Sequence, residues 1–141
     1  MDTDRQDWTL YDTDDAEDGP RVWQIREAFP DGLKPAAFPV AVIVEWQYAD
    51  EGLPDPDTLA ALHAFEADLA PLDAPEGDAL LTHVIRGGGI SELCWYVRDQ
   101  EAFMQGFNQV LAGKPRYPLA IEFLEDPGWD YRRSIVENFA H

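Results

Sequence analysis

The sequence predicts an α+β sandwich whose elements run β-α-β-β-α-β. Three observations carry that order. Gly87-Gly88-Gly89 stands between two apolar, strand-like runs, Leu80 to Arg86 and Ile90 to Val97. Glycine takes the positive φ angles of tight hairpin turns without steric penalty. A strand pattern and then a helix pattern precede this hairpin, and a helix pattern and then a strand pattern follow it.

Taken from the N-terminus, Trp8-Thr9-Leu10-Tyr11 alternates as a short strand. Asp12 to Pro20 is an acidic run closed by Gly-Pro and reads as a loop. Arg21 to Phe29 alternates again, with Val22, Trp23 and Ile25 among polar neighbours, so an N-terminal β-hairpin or a pair of adjacent edge strands is expected. Pro35 and Pro39 bracket a connector.

Val40 to Tyr48 is the next strand. Period-two alternation puts Val40, Val42, Val44, Trp46 and Tyr48 on one face, expected to meet the helices. Ala41, Ile43, Glu45 and Gln47 share the other face, expected to be part wet or covered by the N-terminal hairpin. Asp55 is a good N-cap with Pro56 at the first helical position, where a missing N–H is harmless. Leu59, Leu62, Phe65, Leu69 and Leu72 then recur at three- and four-residue steps, and the helix should end near Pro71. Pro75 and Gly77 mark the following loop.

His83 is expected in a strand with Leu81 and Ile85. After the glycine hairpin, Asp99 caps a second helix with Phe103, Phe107, Val110 and Leu111 on one face; Gly113 and Pro115 end it. Tyr117, Leu119, Ile121 and Phe123 form the inner face of a last strand. Asp126-Pro127-Gly128 breaks it, and Trp129 to Phe139 reads as a short C-terminal helix with Tyr131, Ile135 and Phe139 at four-residue steps. One domain over 1–141 is expected: a hairpin extension over 1–38, a βαββαβ core over 39–126 and a helical tail over 127–141.

Composition narrows the function classes. A chain of 141 residues with 45% hydrophobic and 12% aromatic residues can build a core without metal or disulfide. Cys94 is the single cysteine, which rules out an intrachain disulfide. The acidic, polar start from Met1 to Asp7 lacks the basic and apolar regions of a secretory signal, and the apolar run Phe38 to Val44 is too short to span a bilayer. A cytoplasmic protein off the membrane is expected. Twenty-eight acidic residues against ten basic ones give a net charge of -18, a field that repels nucleic-acid and anionic lipid phosphates and admits a basic protein partner.

Chemical motifs are few. An EF-hand frame on the acidic run places Ala16 and Ile25 where ligands are required. His63 and His83 have no metal-ligand spacing, so no metal and no cofactor are expected. Cys94 reads as a small structural residue in mid-strand. Ser91 has half of a nucleophile elbow, and the glycine triplet lacks the Gly-Lys-Ser/Thr and the helix of a phosphate loop. Trp95 and Tyr96 point to opposite faces without the basic residues of an RNA-binding sheet. No catalytic residues are assigned. Trp129, Tyr131, Arg132 and Arg133 form the most basic spot, read either as a ligand-facing cluster or as aromatics packing the tail onto the sheet.

Several short segments together resemble a bacterial family catalogued as domain of unknown function 695. They are the Trp8-x-x-Tyr11 opening, Gly52-Leu53-Pro54 before the first helix, Trp95-Tyr96-Val97 before Asp99, and the closing Asp126-Pro127-Gly128-Trp129-Asp130-Tyr131, where the tyrosine falls two residues after the tryptophan. The resemblance covers most of the chain and implies a ferredoxin-like α+β fold. It brings no catalytic residues, because the family has no established activity. Members sometimes stand beside a domain similar to the protein inhibitor of ribonuclease E, which implies a regulatory role by analogy. The expectation is therefore a non-catalytic regulatory or protein-interaction module. The alternative is a small-molecule-binding domain or enzyme with a pocket on the sheet face or at a homodimer interface, drawing on Trp46, Trp95, Tyr96, Trp129 and Arg132.

Overall fold

The computed structural model describes residues 8–15, 19–29, 32–73, 78–114 and 117–137. Strands β1 (Trp8–Asp15), β2 (Gly19–Arg26), β3 (Val40–Gln47), β4 (Ala79–Gly87), β5 (Ile90–Val97) and β6 (Leu119–Glu125) alternate with helices α1 (Pro56–Leu69), α2 (Gln100–Val110) and α3 (Asp130–Glu137). The fold is α+β, with one six-stranded sheet in the order β1-β2-β4-β5-β3-β6 and every neighbouring pair antiparallel. Residues 16–18 of the acidic run, on which the EF-hand frame fails, and Pro75, Gly77, Pro115 and Phe139 lie outside the described residues. Among the described residues no helix is long and apolar enough to cross a membrane.

Local signals act where the residues place them. The Asp55 carboxylate accepts the Thr58 N–H at 2.8 Å, with Pro56 opening α1. The Asp99 carboxylate accepts the N–H groups of Glu101 and Ala102 at 2.9 and 3.1 Å at the start of α2. The β4–β5 turn is Gly88-Gly89, with φ of 62° and 81°, as a primed two-residue hairpin requires. Gly89 is also packed from outside. A Cβ there would lie 2.3 Å from the Ala49 carbonyl oxygen, and Gly89 N–H donates to Gly52 O at 3.0 Å.

Helices α1 and α2 cover one face of the sheet. Phe65, Leu69, Phe103 and Phe107 pack there on Val42, Val44, Val84, Leu93, Trp95 and Val97. The opposite face is covered by α3 and by the connector around Phe38, which pack on Ala41, Ile43, Leu80, Cys94, Tyr96, Ile25 and Ile85. The N-terminal hairpin does not lie over that face. It extends the sheet sideways, because β2 pairs with the free edge of β4.

Three details depart from the sequence reading. Strand β1 continues through the acidic run to Asp15. At the sheet edge Asp12 and Asp14 stay in water, so the strand forms without desolvating them. Phe123 is 39% exposed; β6 is the outermost strand, and the helix-face cluster stops at Leu119 and Ile121. Leu81 and His83 also fall on opposite faces. A β-bulge between them inserts Thr82 into β4, which turns His83 and Ile85 to the α3 side while Leu81 packs on the helix side.

Candidate functional site

Docking of α3 depends on Asp126. The turn Asp126-Pro127-Gly128-Trp129 is closed by Trp129 N–H donating to Asp126 O at 3.0 Å. The Asp126 carboxylate accepts the N–H groups of Asp130 and Tyr131 at 2.8 and 2.9 Å and the Tyr96 hydroxyl at 2.7 Å. It thus satisfies two open donors of the first turn of α3 and ties that turn to β5. Burial disfavours its charge, but these three donors outweigh burial and hold the carboxyl below its ordinary range. Trp129 takes a left-handed φ of 56°. Its indole N–H donates to Phe38 O at 2.9 Å, and its ring stacks on Tyr96 at 4.6 Å between centroids. A non-glycine residue in this region needs such surrounding contacts to persist.

With α3 so placed, Tyr131 and Ile135 close over a cavity of about 270 Å³. The floor is built by register. Trp23 of β2, Ile85 of β4, Glu92 of β5 and Glu45 of β3 are successive cross-strand partners in one row. Arg21, Gly87 and Ile90 form the next row and also line the cavity, together with Gly88. Gly87 is required by the approach of β2, since a Cβ there would meet Arg21 Cγ at 2.5 Å and Pro20 O at 2.7 Å. The glycine triplet and the aromatic tail therefore meet in one place, although the sequence marks the glycines only as a turn.

The polar groups of the cavity differ in how they are satisfied. Glu92 Oε2 accepts the Tyr131 hydroxyl at 2.6 Å and lies 2.8 Å from His83 Nε2; the carboxylate partner assigns the proton to Nε2. Burial opposes the Glu92 charge, yet the two donors together hold its carboxyl below the ordinary range. Tyr131 is pushed far above the usual phenol value, first by burial and then by donating to Glu92. His83 is 1% exposed, and its Nδ1 has no partner. Glu45 faces the opposite situation. Its carboxyl is raised by burial, then by Glu92 directly across the strand pair and by Glu122, with no donor lowering it. On the β2 side, Arg21 Nε is buried without a partner.

The residues expected to bind a ligand are dispersed. Trp46 packs on Phe65 and Tyr117 on the helix face, and Trp95 packs there on Phe103. Tyr96 and Trp129 stack on the opposite face. The Arg132 guanidinium donates to Arg26 O at 2.8 Å and lies over the Phe29 ring. The 270 Å³ cavity is lined by other residues. Arg21, Trp23, Glu45 and Glu92 escaped sequence reasoning; period-two parity was their only signal, and parity does not say which face α3 covers. Cys94 is buried beside the His83 row, and burial pushes its thiol well above the ordinary range, away from reactivity. Among the described residues no three His, Cys, Asp or Glu side chains are grouped to hold a metal ion.

A family model described as a family of unknown function (DUF695) matches residues 6–134. No curated protein and no solved structure matches the chain. The chain belongs to the DUF695 family, as the match over most of its length shows.

Proposed function

Starting from membership of a family that carries no activity with it, we propose that this chain is a non-catalytic small-molecule-binding domain whose site is the cavity under α3. One observation carries the reading. A 270 Å³ cavity is lined by apolar and aromatic walls (Trp23, Ile85, Ile90, Ile135) into which a few polar groups, Arg21, Glu45, Glu92 and Tyr131, converge. That composition is what small-ligand sites share, and the volume suits a compact ligand.

Binding without chemistry fits the proton arrangement. The Tyr131 hydroxyl and the His83 Nε2–H are both committed to Glu92, so no general base stands beside an available nucleophile. The β3–β6 portion reads as a ferredoxin-like unit, supported by the order β4-β5-β3-β6 and by α1 and α2 on one face. A binding role on such a unit also accommodates the regulatory expectation, with the ligand as the signal.

The test is a thermal-shift screen of small polar compounds on the full chain, repeated on Ile135→Phe and Ile135→Trp, which fill the cavity. Compounds that raise the melting temperature of the parent and not of a folded filled variant support the reading. Compounds that stabilise parent and filled variants equally bind elsewhere and overturn it.

A further inference from the structure

We infer that the cavity takes a small zwitterion, an ammonium and a carboxylate joined by a short apolar chain, with its ammonium on Glu45 and its carboxylate on Arg21. This rests on the proposed binding reading and adds the ligand class.

Two half-buried groups of opposite charge line the same space, Glu45 with no donor and Arg21 with its Nε unpartnered. Glu45 and Glu92 are direct register partners on one face of β3 and β5, an arrangement that is destabilising for like charges. Glu92 is quieted by its hydrogen bonds with His83 and Tyr131 and, to a lesser degree, by the Arg21 charge. Glu45 has neither hydrogen bond nor ion pair among the described residues and feels only burial, Glu92 and Glu122. A cation beside it would relieve all three. Trp23 and Tyr131 line the same space, and aromatic faces favour an ammonium.

Arg21 lines the cavity from the β2 side, with its Nε buried and unpartnered. The Nε atoms of Arg26, Arg86 and Arg132 are likewise unpartnered; Arg21 differs from them in lining the cavity, where a bound acceptor would satisfy its buried donor. A simple organic cation would satisfy Glu45 but leave Arg21 repelling it. A simple anion would satisfy Arg21 and meet the repulsion of Glu45. A zwitterion answers both, and because the lining holds two carboxylates, Glu45 and Glu92, against one guanidinium, Arg21, its ammonium end is the more strongly held.

The spacing favours a ligand with separated charges. Strands β2 and β3 lie three strand steps apart in the sheet, roughly 14 Å at about 4.8 Å per step. Arg21 and Glu45 also sit in successive rows of the same face, with the row of Val22, Arg86, Ser91 and Trp46 on the opposite face between them. The two side chains shorten that gap from its ends, and a chain of a few methylenes spans the remainder. Ile85, Ile90 and Ile135 line the cavity as the matching apolar wall.

Calorimetry on the full chain tests this with a series of linear ω-amino acids from glycine to 6-aminohexanoate, each beside the matching alkylamine, alkylcarboxylate and amino alcohol. The expected result is binding by ω-amino acids with an optimum at intermediate length. Each singly charged analogue should be weaker by at least about tenfold, the scale of one charge-assisted hydrogen bond. Glu45→Gln should reduce affinity for the amino acid by about tenfold and strengthen the alkylcarboxylate, which it no longer repels. Arg21→Gln should likewise weaken the amino acid by about tenfold and strengthen the alkylamine; if that variant fails to fold, Arg21→Lys, which keeps the charge and loses the Nε–H, should weaken the amino acid to a lesser degree. Equal binding of amine and amino acid, or amino-acid binding indifferent to Glu45→Gln, overturns the inference. If the series fails while an uncharged or singly charged compound binds parent and not Ile135→Trp, the ligand class falls and the pocket reading stands. If no compound of any class binds, both fall.

Discussion

The two faces of the sheet are made from alternate residues of the same strands, and they do different work. The helix face is an aromatic and aliphatic layer whose rings touch in pairs, Trp46 on Phe65 and Trp95 on Phe103. Its ion pairs, Arg26 with Asp73 and Arg86 with Glu66, involve residues outside that cluster. The α3 face carries Glu45, Glu92, His83, Tyr96 and Tyr131, with Asp126 beneath the first turn of α3. Burying polar groups is unfavourable unless they are hydrogen-bonded; most of these are, and the one that sets this face apart is Glu45, whose carboxyl lines the cavity with no donor lowering it. The contrast is that the helix face packs the core, while the α3 face carries the cavity proposed as the site.

The most disruptive way to probe this contrast is Phe65→Ala, which opens a hole in the fully buried helix face. A loss of about 3–5 kcal/mol is expected in urea unfolding, a large part of a domain's stability, with ligand preference unchanged in whatever folds. A shift in preference would show that the faces are not separate.

Asp126→Ala comes next. It strips three donors of their shared acceptor and should cost about 2–3 kcal/mol. Faster amide exchange should be confined to Asp130 and the residues after it. Asp126→Asn, which keeps an acceptor, should recover part of the protection. Uniform loss of protection through β3 and β5 would mean that α3 is part of the core and not a separate cover.

Those two residues show what could be read in advance. The Phe65 stripe, the Asp55 and Asp99 caps and the glycine turn are local signals, and each acts where its residue type places it. The aromatic tail was also legible as packing. The cavity was not, for reasons particular to its residues. The bulge at Thr82 moves His83 out of the parity of Leu81, and nothing in the chain from Leu80 to Arg86 announces an inserted residue. Glu45 and Glu92 sit opposite each other only because β3 and β5, neighbours in space, lie more than forty residues apart in sequence. A pocket made by cross-strand rows under a distant helix is a property of register, which composition and periodicity do not encode.

A smaller effect is expected from Glu92→Gln, about 1–2 kcal/mol at neutral pH as the charge-assisted bonds to Tyr131 and His83 weaken. The sign with pH follows from the depressed folded-state value. The stabilisation is present above the unfolded carboxyl pKa of about 4.3 and is lost as pH falls through the folded value, so variant and parent should converge in acid. Divergence that persists below about pH 3 would assign the loss to packing.

The smallest change should be a gain. Glu45 has its folded-state value raised, so its charge is a liability at neutral pH that is relieved as pH falls through the raised value toward the unfolded one. Glu45→Gln should therefore raise stability slightly at pH 7, by a few tenths of a kcal/mol (on the order of 0.3) because solvent screens a part-exposed carboxylate, and have no effect below about pH 4. A loss at neutral pH would show that Glu45 already has a stabilising partner and is not held ready for a ligand.

The bond from the Trp129 indole to Phe38 O joins residues 91 positions apart, and that separation has a kinetic meaning. Contacts across long stretches of chain form late, because loop-closure entropy is lost before they return any energy. The β4–β5 hairpin can form from near neighbours, but the sheet also contains a pairing of nearly the same span, Val40 of β3 with Glu125 of β6, so the tail latches on with or after that closure. In the native protein the same latch is the natural place for partial opening, since α3 can lift without breaking a strand pair. Ligand uptake and release would then be timed by the lifting of α3, and a bound molecule would slow it, making tail opening a direct clock for occupancy.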